Sequence, residues 1–262
     1  MKILITGASG YIGTILREIF ANDAVTLLSR RTITPSRNEK WLISGNLQDA
    51  GWWNSLPTDS IFDVVFHLAE PVKETVDDKT KQKIINEHVR FISHFTTKST
   101  KVIYPLTAYL YDSKLSSSNR TYTEIKYGVY SQLNGNRNVS FPIIHPVCDS
   151  AHGLGKLIQM EKRLPWINAL STFESTIPIL RLEYLKQIFA DPISMAHGRF
   201  DIFSEILAIK DIFKDETRIN VFLLSRAIFY GLMLLTFVPS FNLLIEGRHI
   251  DDSIFASVFE IP

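Results

Sequence analysis

A tyrosine and a lysine, Tyr122 and Lys126, lie four residues apart in the stretch TYTEIKYGVY. If this stretch is helical, the two side chains lie one above the other on the same face. A phenol has a pKa of about 10, too high for efficient proton transfer at neutral pH, but a neighbouring ammonium favours the phenolate. The pair could therefore move a proton, or it could be the rim of an ordinary amphipathic helix. The elements that surround the pair must decide between these two interpretations.

Three glycines, Gly7, Gly10 and Gly13, follow the first apolar run, KILIT, directly. Glycines in such a turn let backbone N–H groups approach a pyrophosphate, and the N-terminus of the following helix adds a partial positive charge. The last glycine permits close packing of the helix on the strand. The place of this three-glycine motif between a strand and a helix favours a dinucleotide-binding turn over a simple strand-to-helix connection.

Short apolar runs alternate with helical patterns through the first 150 residues. The runs have the character of buried parallel strands and comprise KILIT, AVTLLSR, FDVVFHLA, KVIYPLT and VSFPIIHPV. This alternation predicts an α/β fold, a Rossmann-type doubly wound parallel sheet with right-handed crossovers. We predict an NAD(P)-binding Rossmann domain over residues 1–150 and a smaller, mostly helical substrate lobe over residues 151–262, interleaved with the sheet and not independent of it.

The sequence TGASGYIG, in this position, resembles the extended short-chain dehydrogenase/reductase superfamily (the NAD(P)-dependent epimerase/dehydratase family), in its nucleotide-sugar-modifying branch. Tyr122 and Lys126 match the Tyr-x-x-x-Lys pair of that family, and Thr107 matches its hydroxyl residue at the end of the preceding strand. The resemblance implies that Tyr122 transfers the proton and that Thr107 holds the carbonyl oxygen. It also implies that Lys126 assists Tyr122 and hydrogen-bonds the nicotinamide ribose.

The same resemblance implies a set of cofactor-binding residues. GNLQD resembles the family segment beside the adenine, DVVFHLAE the segment that passes over the cofactor, and HPV a strand-end R-P-x. In chain order the implied positions are Gly7, Gly10, Tyr11, Ile12, Gly13, Asn46, Leu47, Leu68, Ala69, Glu70, Asn86, Lys126, His145 and Val147. Among the departures from the family pattern, Asn46 replaces an acid, Asp112 a glycine, Ile125 a serine and His145 an arginine.

The second predicted strand ends in LLSRR, which bears on the choice of cofactor. NAD enzymes usually place an acid here to bind the ribose 2′-hydroxyl. This chain has Ser29, Arg30 and Arg31 instead, and an arginine fork matches a phosphate dianion. We therefore predict NADP(H) in preference to NAD(H). The alternative is that both arginines are solvated surface charges.

Composition narrows the classes of function. The net charge of the 262-residue chain is +1, which gives no overall field for nucleic acid or an anionic membrane. The one cysteine, Cys148, excludes an intramolecular disulfide and a multi-cysteine metal site. The histidines do not cluster along the sequence, so we predict no metal site and interpret His67 as a hydrogen-bonded core histidine.

The start of the chain, MKILITGASG, lacks the apolar core of an export signal, so we expect a cytoplasmic protein. One strongly apolar segment, residues 227–245, is interrupted by Pro239 and Asn242. We interpret it as a buried or docking helix because its uninterrupted part is shorter than the ~20 residues of a bilayer span. A membrane-surface role stays open for it, and a homodimer is possible by analogy with the family.

The predicted function follows from the site and the cofactor. We predict an NADP(H)-dependent ketoreductase that acts on a nucleotide-linked 4-keto sugar in surface polysaccharide biosynthesis, because a reductase consumes NADPH from a reduced pool. A nucleotide-sugar 4-epimerase that retains tightly bound NAD is the first alternative. A non-catalytic NADP-binding regulatory or assembly protein is the second.

Overall fold

The computed structural model describes residues 1–43, 51, 53, 56, 61–70, 75–96, 100–111, 117–145, 147–148 and 176–208. The strands are β1 (Lys2–Thr6), β2 (Ala24–Ser29), β3 (Glu39–Ile43), β4 (Val64–His67), β5 (Lys101–Ile103), β6 (Leu106–Thr107), β7 (Val139–Ile144), β8 (Val147–Cys148), β9 (Thr176–Arg181), β10 (Gly198–Ile202) and β11 (Glu205–Ala208). The helices are α1 (Tyr11–Ile19), α2 (Asp78–Thr96), α3 (Ser117–Leu133) and α4 (Leu182–Ala190), with a 3-10 helix over Ala108–Tyr111.

Two compact units share the chain. The first contains the described residues within Met1–Leu110, Ser117–Ile143 and Leu185–Phe200, and the second those within Tyr111–Ser116, Ile144–Tyr184 and Asp201–Pro262. The predicted division at residue 150 stays a prediction, because most of residues 151–262 lie outside the described part of the chain.

A large sheet with strand order β10-β7-β5-β4-β1-β2-β3 organises the first unit, and β6 pairs with β7. The pairs from β3 across β1 to β7 are parallel. The central strands consist of apolar runs whose side chains are buried on both faces, as in the fully buried β4. The predicted Rossmann-type α/β fold is therefore confirmed.

The strand order reverses at β1, which pairs with β2 on one side and with β4 on the other. In parallel sheets the connections that follow the carboxyl ends of such strands form the ligand-binding crevice. The glycine turn follows β1 and the segment Leu68–Glu70 follows β4. The fold thus places both predicted cofactor segments at the same edge of the sheet.

Helices α2 and α3 pack against each other in the first unit. Buried apolar residues recur along α2 at helical spacing, including Ile84, Ile85, Phe91 and Ile92. A Cβ atom at Gly128 of α3 would lie 2.5 Å from the Ile85 side chain. The glycine therefore lets the two helices approach closely, which fixes the position of α3 and of the side chains it carries.

The second unit contains a small sheet with strand order β11-β9-β8. Strands β9 and β11 are antiparallel, whereas β8 and β9 are parallel. Within the described ranges, no helix combines the length and apolarity that crossing a membrane requires. The apolar segment at residues 227–245 lies outside those ranges.

Candidate cofactor and active site

The glycine turn brings the ends of β1 and β4 together. Gly7 has φ of +66°, and a Cβ atom there would lie 2.8 Å from the backbone of Leu68 and of Ala69. A Cβ atom at Gly13 would lie 2.7 Å from Ala8 Cα and from the Gly7 carbonyl oxygen. Only glycine fits at either position, so α1 can lie tightly against the strand that precedes it.

The start of α1 fits a phosphate group. The helix begins at Tyr11 after an extended N-cap residue, Gly10, which has no side chain to occupy the first N–H groups. No acidic residue lies in the first turn, and Ser9 and Gly10 are exposed. Ile12 follows Tyr11 in that turn and is half-buried. These N–H groups and the helix dipole suit the pyrophosphate of a dinucleotide.

The end of β2 is tied to the glycine turn. The buried Ser29 hydroxyl donates a hydrogen bond to Ser9 Oγ at 3.1 Å and accepts one from the Arg31 N–H at 3.1 Å. Arg30 and Arg31 are both exposed directly beyond the strand. No acid stands at this strand end, where NAD enzymes usually place one. Asn46 and Leu47, predicted beside the adenine, lie outside the described residues.

Lys126 of α3 is 3% exposed and is surrounded by polar partners. Its ammonium forms an ion pair with the Glu70 carboxylate. It also donates to the Pro105 carbonyl oxygen at 2.5 Å and lies 4.2 Å from the centre of the Tyr104 ring. The centre of the Tyr122 ring is 5.8 Å from the same ammonium. The predicted Tyr122–Lys126 pair is therefore formed on one helix face, and Glu70 joins it.

Burial sets the protonation behaviour of this cluster. Burial raises the pKa of the Glu70 carboxyl and lowers the pKa of the Lys126 amine, and each shift is opposed by the charge of the partner. Burial also raises the pKa of the Tyr122 phenol, and the nearby Glu70 and Tyr109 raise it further. These shifts favour the neutral phenol of Tyr122 over the phenolate.

Thr107 ends β6, and its hydroxyl oxygen accepts the Tyr109 N–H at 3.2 Å. The Pro105 carbonyl that binds Lys126 lies two residues earlier on the same strand connection. Helix α3 and β6 pack together in the first unit. The structure thus positions Thr107, Tyr122 and Lys126 on adjacent elements of one unit.

A buried hydrogen-bond chain runs behind the predicted cofactor segment. The Thr6 hydroxyl oxygen accepts N–H groups from Leu68 and Ala69, both at 3.0 Å, and lies 2.9 Å from His67 Nδ1. Nε2 of His67 lies 2.6 Å from His88 Nδ1. The prediction that His67 is a hydrogen-bonded core histidine is confirmed. The partner histidine, His88, was missed by the sequence analysis.

The tautomers of His67 and His88 follow from counting the hydrogen bonds that the Thr6 hydroxyl accepts and donates. A hydroxyl accepts at most two hydrogen bonds, and both lone pairs of Thr6 are used by backbone N–H groups. Thr6 must therefore donate to Nδ1 of His67, so the His67 proton lies on Nε2. That proton is donated to Nδ1 of His88, which places the His88 proton on its own Nε2.

Both imidazoles favour the neutral form. Burial, then the charges of His88 and Lys126, hold the pKa of His67 well below its usual range. Burial and the Lys126 charge lower the pKa of His88 to about 3. In an unfolded chain both would protonate near pH ~6.5. Below that pH the unfolded state binds protons that the folded state does not, so stability falls as pH falls toward 3.

We expect this effect to be measurable in His88→Asn, which keeps an acceptor for His67 and removes one titrating group. Each buried imidazole contributes a slope of about 1.4 kcal/mol per pH unit to the free energy of unfolding below pH ~6. Urea unfolding at several pH values should therefore give a shallower acid slope in this variant than in the parent chain. His197→Asn, at an exposed site, is the control and should keep the parent slope. Equal slopes in His88→Asn and the parent would contradict the assignment.

Three further residues were predicted to bind the cofactor, and their surroundings are as follows. Asn86 is exposed on α2, where its side-chain oxygen accepts from Gln82 at 2.9 Å. His145 belongs to the second unit, where its Nε2 lies 2.6 Å from Asp201. Val147 is also in the second unit and is buried. The cofactor roles of Asn86, His145 and Val147 stay predictions.

The second unit contains a polar group that the sequence analysis missed. The other Asp201 oxygen accepts the Tyr111 hydroxyl at 2.7 Å, and the ring centres of Tyr111 and His145 are 6.1 Å apart. Asp201 and His145 are 56 residues apart in the chain, so no local sequence pattern predicts their contact. Among the residues that the structure describes, there is no group of three or more His, Cys, Asp or Glu side chains that could hold a metal ion.

Comparison with known proteins bears on this site. Residues 3–128 match the model of the NAD dependent epimerase/dehydratase family. No curated protein matches the sequence. The resemblance to this family, inferred from the glycine turn and the Tyr-x-x-x-Lys pair, is therefore confirmed over those residues.

Solved structures extend the likeness along the chain. The Helicobacter pylori ADP-L-glycero-D-manno-heptose-6-epimerase is similar with a TM-score of 0.65 at 15% identity, and the match covers 85% of this chain and 83% of the epimerase. Bordetella bronchiseptica WbmG in complex with NAD has a TM-score of 0.66 at 15% identity, and the match covers 98% of this chain and 93% of WbmG. Human epimerase family protein SDR39U1 (isoform 2) with NADPH has a TM-score of 0.65 at 14% identity, and the match covers 99% of this chain and 94% of the human protein. At these identities the likeness concerns the fold.

Proposed function

We propose that this chain, whose residues 3–128 match the NAD dependent epimerase/dehydratase family, is an NADP(H)-dependent ketoreductase for a nucleotide-linked 4-keto sugar. The observation that carries the proposal is the position of the Tyr122 ring, whose centre lies 5.8 Å from the Lys126 ammonium of the buried Lys126–Glu70 pair. Reduction of a carbonyl needs a hydride on carbon and a proton on oxygen. A phenol beside an ammonium suits the role of proton donor, because the ammonium stabilises the phenolate that proton transfer leaves.

The residues have distinct roles in this reaction. The bound nicotinamide would supply the hydride to the carbonyl carbon. Tyr122 donates its phenolic proton to the carbonyl oxygen, so that an alcohol forms, and Thr107 donates a hydrogen bond that orients the same oxygen. The Lys126 ammonium, held 5.8 Å from the Tyr122 ring centre, stabilises the phenolate that remains.

The same chain offers groups for each part of NADP(H). The turn from Gly7 to Gly13 and the start of α1 would hold the pyrophosphate, and Arg30 and Arg31 would bind the 2′-phosphate. The absence of an acid at the end of β2 supports NADP(H) over NAD(H). Similar structures were solved with NAD and with NADPH, so the proposal rests on the residues of this chain.

The substrate class is proposed from the family and the fold. The similar heptose epimerase is named for a nucleotide-linked sugar, which supports the same class of substrate here. We place the reaction in the cytoplasm, in the synthesis of surface polysaccharide, where nucleotide sugars and NADPH are both supplied. The second unit, with its buried His145–Asp201 contact, is proposed to contribute to substrate binding.

The test is a turnover assay with both nicotinamide cofactors. We expect loss of NADPH absorbance, faster than loss of NADH absorbance, when the protein meets a UDP- or dTDP-linked 4-keto sugar. Deuterium at nicotinamide C4 should appear at sugar C4 of the product. Tighter binding of NADH than of NADPH would overturn the cofactor assignment.

The alternatives give different outcomes in the same assay. A 4-epimerase would interconvert two nucleotide sugars without net consumption of cofactor, and it would retain NAD through purification. A binding protein would take up NADPH and turn over nothing. Either result would contradict the proposed reduction.

A further inference from the structure

The Lys126 ammonium has three N–H donors, and three groups surround it. The Glu70 carboxylate forms an ion pair with it, the Pro105 carbonyl accepts at 2.5 Å, and the Tyr104 ring face lies 4.2 Å away. Tyr104 and Pro105 lie shortly before Thr107 in the chain, in the connection between β5 and β6. Glu70 is the one negatively charged group of the three, and it belongs to the segment after β4.

We infer that Glu70 is a positioning residue that competes with the bound cofactor for Lys126. This inference rests on the proposed function, because it assigns Lys126 to the nicotinamide ribose as the family resemblance implies. Lys126 must weaken its contact with Glu70 before it can donate to a ribose hydroxyl. Glu70 therefore lowers the affinity for the cofactor. When no cofactor is bound, it keeps the Lys126 ammonium paired and fixed in position.

Burial makes this competition strong. Lys126 is 3% exposed and the Glu70 side chain 14%, so water screens their attraction poorly. The other ionisable groups near the pair are tyrosines and neutral imidazoles: Tyr104, Tyr122, His67 and His88. None of them supplies a second negative charge at neutral pH, so Glu70 alone balances the ammonium among the described residues.

The sequence analysis predicted Glu70 only as one of several residues in the segment that passes over the cofactor. The structure gives it a different task, because its carboxylate contacts a residue 56 positions later in the chain. Glutamine, an uncharged residue of the same shape, keeps an oxygen that can accept from Lys126 but lacks the negative charge that attracts the ammonium. Lys126 would therefore release that N–H donor to a ligand more readily.

The test measures NADPH and NADP⁺ affinity by calorimetry, without any sugar substrate. We expect Glu70→Gln to bind both cofactors about tenfold more tightly, the factor that corresponds to one charge-assisted hydrogen bond released for the ligand. In the background of Lys126→Met the same Glu70→Gln change should have no effect on affinity. Glu124→Gln, an exposed acid of α3 that pairs with Lys81, is the matched control and should leave affinity unchanged.

Unchanged or weaker binding by Glu70→Gln, or an equal effect with and without Lys126, would overturn the inference. If Glu70→Gln folds poorly, Glu70→Asp provides the second test, because it withdraws the carboxylate by one methylene and should tighten binding to a smaller extent. Thermal unfolding gives an independent readout: the double variant Glu70→Gln/Lys126→Met should unfold at a higher temperature than Lys126→Met alone, which leaves a buried carboxylate unpaired.

The two proposals fail in different ways. Tighter cofactor binding by Glu70→Gln without any keto-sugar reduction would refute the proposed reaction and support the role of Glu70. Reduction by the parent chain with no change of affinity in Glu70→Gln would do the reverse. A chain that binds neither cofactor would refute both.

Discussion

Tyr122→Phe is expected to lower the kcat of NADPH-dependent reduction by about 10²–10⁴-fold, the usual contribution of a positioned proton donor. The substitution removes one oxygen from a half-buried ring and keeps the packing of α3. NADPH affinity should therefore change little, and the loss should appear in kcat. Steady-state kinetics together with direct cofactor titration would measure both.

The control for this variant is Tyr127→Phe on the same helix. Tyr127 is 52% exposed, so its hydroxyl should contribute nothing to turnover. A Tyr122→Phe protein that keeps full activity would exclude Tyr122 as the proton donor. If reduced activity came with equally weakened cofactor binding, the tyrosine would act in binding and not in proton transfer.

The second large effect concerns Gly7. In Gly7→Ala a methyl group would lie 2.8 Å from the backbone of Leu68 and Ala69, at a backbone φ of +66°. Backbone strain and the forced separation of the two segments together should lower the free energy of unfolding by about 2–4 kcal/mol. NADPH binding should fall below detection, because the substitution displaces the turn that we propose holds the pyrophosphate. Urea unfolding and calorimetry measure the two effects.

Gly135→Ala separates the two causes. Gly135 also has a positive φ, +94°, but a Cβ atom there meets nothing within 4 Å. Its alanine variant should lose only about 1 kcal/mol, from backbone strain, and should bind NADPH normally. Equal losses in the two variants would show that the close approach of Leu68 and Ala69 to Gly7 is unimportant.

The sheet and the glycine turn were predictable because both depend on local sequence. Apolar runs such as KILIT form buried parallel strands, and their alternation with helices leaves few topologies. Gly13 is required by the local packing of the helix on the turn, whereas the contact of Gly7 with Leu68 and Ala69 appears only in the folded sheet. The pairing of Tyr122 with Lys126 needed only helical spacing.

The partners of Lys126 were harder to predict because they come from distant parts of the chain. Glu70 and Pro105 reach Lys126 from the ends of two other strands, and only the folded sheet brings them together. His88 could have been found from sequence, since it shares the buried face of α2 with Ile84 and Phe91 at helical spacing. Its hydrogen bond with His67 depends on the packing of α2 on β4.

The distribution of the two units along the chain has a consequence for synthesis of the protein. The chain passes between the units after residues 110, 116, 143, 184 and 200. Strand β10, which lies beside β7 at one end of the large sheet, ends only at Ile202. A nascent chain therefore cannot complete its sheet on the ribosome until about three quarters of its length has emerged. For the same reason, a fragment that stops at residue 150 would lack an edge strand and would expose β7 to pairing with other chains.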